Sequence, residues 1–166
     1  MSQLVSENDV SSEGRVDSIT RAALRNLISE QRVLSLAVVV DANAAQGLLP
    51  YALAADFSGV FIFASALAHH SQGLRSGAPF SILIHDHVED PLQVARVSFE
   101  GEVSVVEQES PEYERARELF LQRFPNDSEV LFTLGDFTMY SLPLTRGRFV
   151  QGFARAVDVG ADDLKA

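Results

Sequence analysis

From Val33 onwards the chain is a run of short apolar segments joined by short polar connections, a rhythm that leaves no room for a helix after every strand. Val33-Leu34-Ser35-Leu36-Ala37-Val38-Val39-Val40 is β-branched and nearly continuous in hydrophobicity, as suits a strand covered on both faces. Residues 41–47 read as the following turn. Residues 48–55 and 60–64 read as a hairpin about Asp56-Phe57-Ser58-Gly59, whose glycine supplies the φ freedom of a tight turn. Residues 80–84 form a further strand. Residues 94–106 alternate over the length of a long strand pair, with Val97, Phe99 and Val103 in one set and Arg96, Ser98, Glu100 and Glu102 in the other. Gly101 marks a bend or bulge there. Residues 137–142 and 147–153 complete the strands.

Helices are segregated from this run. Ile19, Ala23, Leu24, Leu27 and Ile28 share one face of a helix that opens at Ser18 and ends near Gln31. Ser110-Pro111-Glu112 offers a capping hydroxyl, a proline at the first helical position and an early acid, and the helix runs to about Phe124. After Pro125-Asn126-Asp127-Ser128, a second short helix carries Val130, Leu131 and Phe132, and Gly135 precedes the next strand. Six or seven mostly antiparallel strands with flanking helices predict an α+β barrel rather than alternating βαβ units. No Walker loop or GxGxxG follows any strand.

With 166 residues, 46% of them hydrophobic, and no apolar run near the length of a membrane span, the chain is expected to form one domain over residues 18–158. Residues 1–17 and 159–166 are expected to be tails, the first without the basic start and apolar stretch of a signal peptide. There is no cysteine, which excludes disulfides, thiolate metal sites and cysteine nucleophiles and fits a cytoplasmic location. The net charge of -10 opposes contact with nucleic acid or an anionic membrane. A small anion could still be held by a local cluster of donors.

Such a cluster is legible where the strand Val60-Phe61-Ile62-Phe63-Ala64 runs into Ser65-Ala66-Leu67-Ala68-His69-His70-Ser71-Gln72-Gly73-Leu74. A polar helix start presents unpaired N–H groups and the positive end of a helix dipole, a combination that favours phosphate. The short helix is expected to end near residues 76–77.

The segments GVFIFASALAHHSQGL, DPLQVARVSFEGEV and GDFTMYSLPLTRGRFVQGFARA resemble the FMN-binding split barrels related to pyridoxamine 5′-phosphate oxidase, and more particularly their haem-utilisation branch. The resemblance covers about residues 21–157. It implies a homodimer with FMN in the cleft between subunits and the phosphate at the corner. His69 and His70 then occupy the places of the oxidases' Arg and Lys ligands, Ala68 stands where they have Ser, and Arg96 lies in the strand that passes the flavin. Ser65 and Ser71 are candidate hydroxyl donors, and Arg32 is a further candidate contact.

The departures matter too. Leu48-Leu49-Pro50-Tyr51-Ala52-Leu53 lacks two cationic ligands of the oxidases, and the chain has no Trp, so oxidation of pyridoxamine phosphate is not expected. Haem-degrading relatives use a C-terminal histidine as iron ligand, whereas the last histidine here is His87. If FMN binds, the exchange of Arg and Lys for histidines, which titrate near about 6.5, makes its affinity fall as pH rises, His70 contributing most.

The leading expectation is therefore an FMN flavoprotein, an oxidoreductase on an unknown small substrate. The alternatives are a haem-binding or haem-handling protein using the same cleft, with His69 or His70 as ligand, and a cofactor-free dimeric module. Phe153 could cover a flavin edge or fill the core. His85 and His87, with Asp86, Glu89 and Asp90 nearby, could hold a metal if extended, but a polar loop is the simpler reading and no metal is expected. No GxSxG elbow or Ser, His and Asp order supports acyl transfer, and no catalytic residue is assigned.

Overall fold

The computed structural model describes residues 16–126, 128–152 and 155–165, so residues 1–15 of the expected 1–17 tail and the strand end at Phe153 lie outside the described residues. Helix α1 (Ser18–Glu30) starts where the Asp17 carboxylate accepts from Thr20 N (2.8 Å) and Thr20 Oγ1 (3.0 Å), and it buries Leu24, Leu27 and Ile28. Strand β1 (Val33–Val40) turns through Asp41 (φ 49°) and Ala42 (φ 63°) into β2 (Asn43–Leu53). Two left-handed residues match the right-handed twist of a hairpin. The expected turn at residues 41–47 is thus only two residues long. Asn43 to Gly47 pair with β1 instead, and small side chains had hidden their alternation.

Strand β3 (Gly59–Ser65) leads through a 3-10 turn (His69–Gly73) to β4 (Pro79–His85) and β5 (Arg96–Glu102). The 3-10 turn ends earlier than the helix expected from sequence. Then come β6 (Ser104–Val105), α2 (Pro111–Arg123), α3 (Ser128–Leu131), β7 (Phe137–Pro143), β8 (Arg146–Val150), β9 (Ala156–Gly160) and α4 (Ala161–Leu164). All pairings are antiparallel, in the order β6-β7-β3-β2-β1-β4-β5-β8-β9.

Two features curl this sheet into a barrel. Strand β2 changes partner at Pro50, which has no N–H to give: residues up to Pro50 pair with β1, and Tyr51 to Leu53 pair with β3. The expected long strand at residues 94–106 breaks at buried Val103, not at Gly101. Val103 N donates to Ala78 O (2.8 Å) and its carbonyl accepts from Gly77 N (2.9 Å), after which Ser104 and Val105 pair with β7. Strands β6 and β5, the two ends of the seven-strand run β6-β7-β3-β2-β1-β4-β5, are therefore one continuous chain.

The barrel interior packs Leu36, Val38, Ile62, Ile82, Phe99 and Phe149 with α1. Strand β3 is buried on both faces, sending Val60 and Ile62 inward and Phe61 and Phe63 into a second core under Ala116 and Phe120 of α2. The C-terminus also departs from expectation. Residues 159–165, read as tail, complete β9 and form α4, whose Leu164 is buried and whose carbonyl accepts from Arg25.

Helices α1 and α2 meet end to end. Arg123 donates to the carbonyls of Ser29 (3.0 Å) and Gln31, while Arg32 donates to Arg123 O (2.8 Å). Tyr51 Oη donates to Ile28 O (2.6 Å) beneath the Arg123 guanidinium, and burial pushes the Tyr51 phenol up to about 12. Each arginine thus satisfies carbonyls at the negative end of the other's helix. Arg123→Met, which keeps the stem over Tyr51, is expected to cost about 2 kcal/mol in urea unfolding, against less than about 1 kcal/mol for exposed Arg32→Met. Equal losses would contradict the assignment of Arg123 as the principal clamp.

Candidate functional site

The corner after β3 is built from hydrogen bonds that bend the chain back onto the barrel. Ser65 pairs with Phe137 across β3 and β7, which sets the residue before Phe137 against the corner. Ser65 Oγ donates to Asp136 Oδ2 (2.5 Å) and accepts from Leu67 N (3.1 Å), while Ala66 N donates to Asp136 O (2.7 Å). Ala68 N donates to Ser65 O (3.1 Å), and Ser71 Oγ donates to the same carbonyl (2.7 Å). Both predicted serine donors are thus engaged within the corner itself.

The histidines differ from one another. His69 is exposed. His70 is half-buried, its ring pressed on Gly47 of β2 so closely that a Cβ there would lie 2.6 Å from Nδ1 and 2.7 Å from Cε1. Its Nε2 is buried without a hydrogen-bond partner. Burial, and secondarily the neighbouring His69, hold the His70 pKa below the ordinary value. His70 is therefore a poor source of positive charge near neutrality, contrary to its expected lead in binding phosphate. Among the described residues no acceptor meets the N–H groups of His69 and His70, the two amides that open the 3-10 turn.

The remaining predicted residues lie elsewhere. Arg32 is committed to the α1–α2 junction, its guanidinium 4.7 Å from the Phe124 ring centroid. Arg96 is exposed on β5, between His85 of β4 and Val150 of β8, and donates to Val94 O (3.3 Å). Within one chain Ser65, His69, His70 and Ser71 gather at the corner, whereas Arg32 lies at the α1–α2 junction and Arg96 on β5. Cavities of about 550 Å³, over Ser98, Arg146 and Arg148, and about 480 Å³, between the β2–β3 turn and α2, are lined by other residues.

Within one chain this donor set is thin for a flavin phosphate. It offers two backbone amides, but the serines are occupied, His70 is held toward neutrality, and the Asp136 carboxylate stands beside Ser65. Exposed imidazole nitrogen is instead an ordinary ligand for haem iron. Asp136 and Gly47 were not recognised from sequence. Asp136 becomes visible only once β3 and β7 are paired, and Gly47 once the corner is known to fold over β2.

No protein-family model matches the sequence. The chain is 29% identical over 144 residues to the haem oxygenase HutZ of Vibrio cholerae, an alignment covering 85% of this chain and 81% of HutZ. The crystal structure of HutZ superposes with a TM-score of 0.70 at 23% identity, over 80% of this chain and 94% of the other. A haem-binding protein from Mycobacterium smegmatis superposes with a TM-score of 0.76 at 22% identity over 91% of this chain, which spans 61% of that one. A protein of the pyridoxine phosphate oxidase family from Clostridium acetobutylicum gives 0.64 at 9% identity, over 90% and 99%. The chain has the split-barrel fold, and its sequence is similar to that of the haem oxygenase HutZ. The split barrel carries no helix, among the described residues, long and apolar enough to cross a membrane.

The seat of His70 in the split barrel has a pH signature. Because its native pKa lies below the ordinary 6.5, the unfolded chain takes up this proton first as pH falls. The stability contributed by the neutral ring is full above that value and is lost as pH drops below it. Urea midpoints at pH 7.5 and 5.5 should therefore fall more for wild type than for His70→Gln. Gly47→Ala, which evicts the ring, is expected to remove the same component and to cost about 1–3 kcal/mol at pH 7.5. An unchanged pH response in both variants would contradict the buried neutral ring.

Proposed function

We propose that this split barrel is a haem-handling protein that binds haem in a cleft completed by a second copy, with His69 as the imidazole ligand. The observation that carries this reading is the 29% identity to the haem oxygenase HutZ across 85% of the chain. The chemistry of the corner supports it, since an exposed imidazole suits iron, and histidines stand where a phosphate site would have fixed cations. The second copy is supported by the outer face of β1, β2 and β4, where Val33, Val39, Leu48 and Leu83 are 38%, 48%, 69% and 36% exposed. Leu48 and Leu83 flank Ser35 across neighbouring strands, and exposed apolar side chains gathered on one sheet face are what an interface covers.

FMN remains the second reading, favoured by the two unpaired amides of His69 and His70. One pair of titrations separates the readings. Haemin is expected to develop a Soret band on the purified protein, and His69→Ala to weaken its binding by at least about tenfold, or 1.4 kcal/mol. FMN fluorescence is expected not to change. Quenching of FMN without a haem band would return the oxidoreductase reading, and a response to neither would favour a cofactor-free module. Sedimentation of wild type and Leu48→Glu tests the second copy, the variant being expected to shift toward monomer.

A further inference from the structure

A second pair of imidazoles stands away from the corner, at the end of β4. His85 Nδ1 lies 2.7 Å from the backbone carbonyl of Asp86. A carbonyl oxygen only accepts, so Nδ1 carries the proton, and the neutral ring presents its lone pair at Nε2. This is the arrangement that prepares an imidazole for a metal: the other ring N–H fixes both tautomer and orientation. The loop at its base is tied down, with Asp86 N donating to Ala95 O (2.8 Å) and His87 N to Asp86 Oδ1 (2.7 Å).

The His87 ring stands edge-on to that of His85, centroids 5.1 Å apart and planes at 72°. His87 is exposed, which leaves its side chain free to change rotamer when an ion approaches His85. Among the described residues no three His, Asp or Glu side chains converge as a metal site, so solvent completes the coordination. We propose that His85 and His87 bind one divalent late first-row transition ion through two imidazole nitrogens. Imidazole selects copper, nickel and zinc over the hard ions that require oxygen ligands, and copper(II) binds such donors most strongly. The site is independent of the haem reading, since neither histidine belongs to the corner.

The probe is copper(II) chloride titrated into the full-length protein, followed by calorimetry and electron paramagnetic resonance. One equivalent is expected to bind with two equatorial imidazole nitrogens. His85→Asn and His87→Asn should each weaken it by about tenfold or more and leave one nitrogen in the spectrum. A His69→Asn, His70→Asn double variant should retain the two-nitrogen signal. Because His87 is exposed, its variant keeps the test decisive even if His85→Asn alters the strand. Absence of binding by wild type, an unchanged titration in His87→Asn, or loss of the two-nitrogen signal in the corner variant would each overturn the proposal.

Discussion

The backbone closure at Val103 is the constraint on which the rest of this fold depends. A nearly fully buried residue places its N–H on Ala78 and its carbonyl under Gly77, then hands the chain to β7. Either backbone group left unpaired there would cost about 1–3 kcal/mol. The two bonds therefore force the sheet to curl until β5 and β6, neighbours in sequence, stand at opposite ends of the seven-strand run. Pro50 complements this from the far side by ending one ladder of β2 just where the next begins.

Curvature then dictates the corner. With β3 inside a curled sheet and under α2, both its faces are committed, and the chain leaving it at Ser65 has to double back over the open end of β1 and β2. The 3-10 turn lands on Val38 and Gly47, where an added Cβ on Gly47 would strike the His70 ring and one on Gly73 would strike Val38. The chemical character of His70 is thus a by-product of packing: the same contact that seats the turn strips its imidazole of water. Asp136 is placed by the β3–β7 register and holds Ser65 in a local hydrogen bond.

The sequence was readable where periodicity is strong. The β1 run, the α1 stripe and the Ser110-Pro111 start fall where their residues predict, and the corner lies at the end of β3. It was unreadable where partners decide. Asn43-Ala44-Ala45-Gln46-Gly47 looks like loop because its side chains are small, yet β1 gives it a ladder. Residues 159–165 of the expected tail carry only two large apolar side chains, Val159 and Leu164, yet both are buried and Arg25 and β8 hold the segment in place. Arg32, a candidate contact that the resemblance implied just before β1, instead donates to a carbonyl 91 residues away. Side chains that answer to distant backbone leave no local signature.

The exchange of fixed cations for imidazoles changes what this corner can hold. A guanidinium or ammonium attracts phosphate at every physiological pH, whereas a neutral imidazole attracts it only as a hydrogen-bond donor. In a chain of net charge -10, with Asp136 at the corner, donors of that kind face an unfavourable field, and two backbone amides offset little of it. A metal centre makes the opposite demand. It requires an unprotonated nitrogen rather than a charge. The missing fixed charge that weakens the corner as a phosphate cradle is therefore no obstacle to an exposed imidazole such as His69 serving an iron.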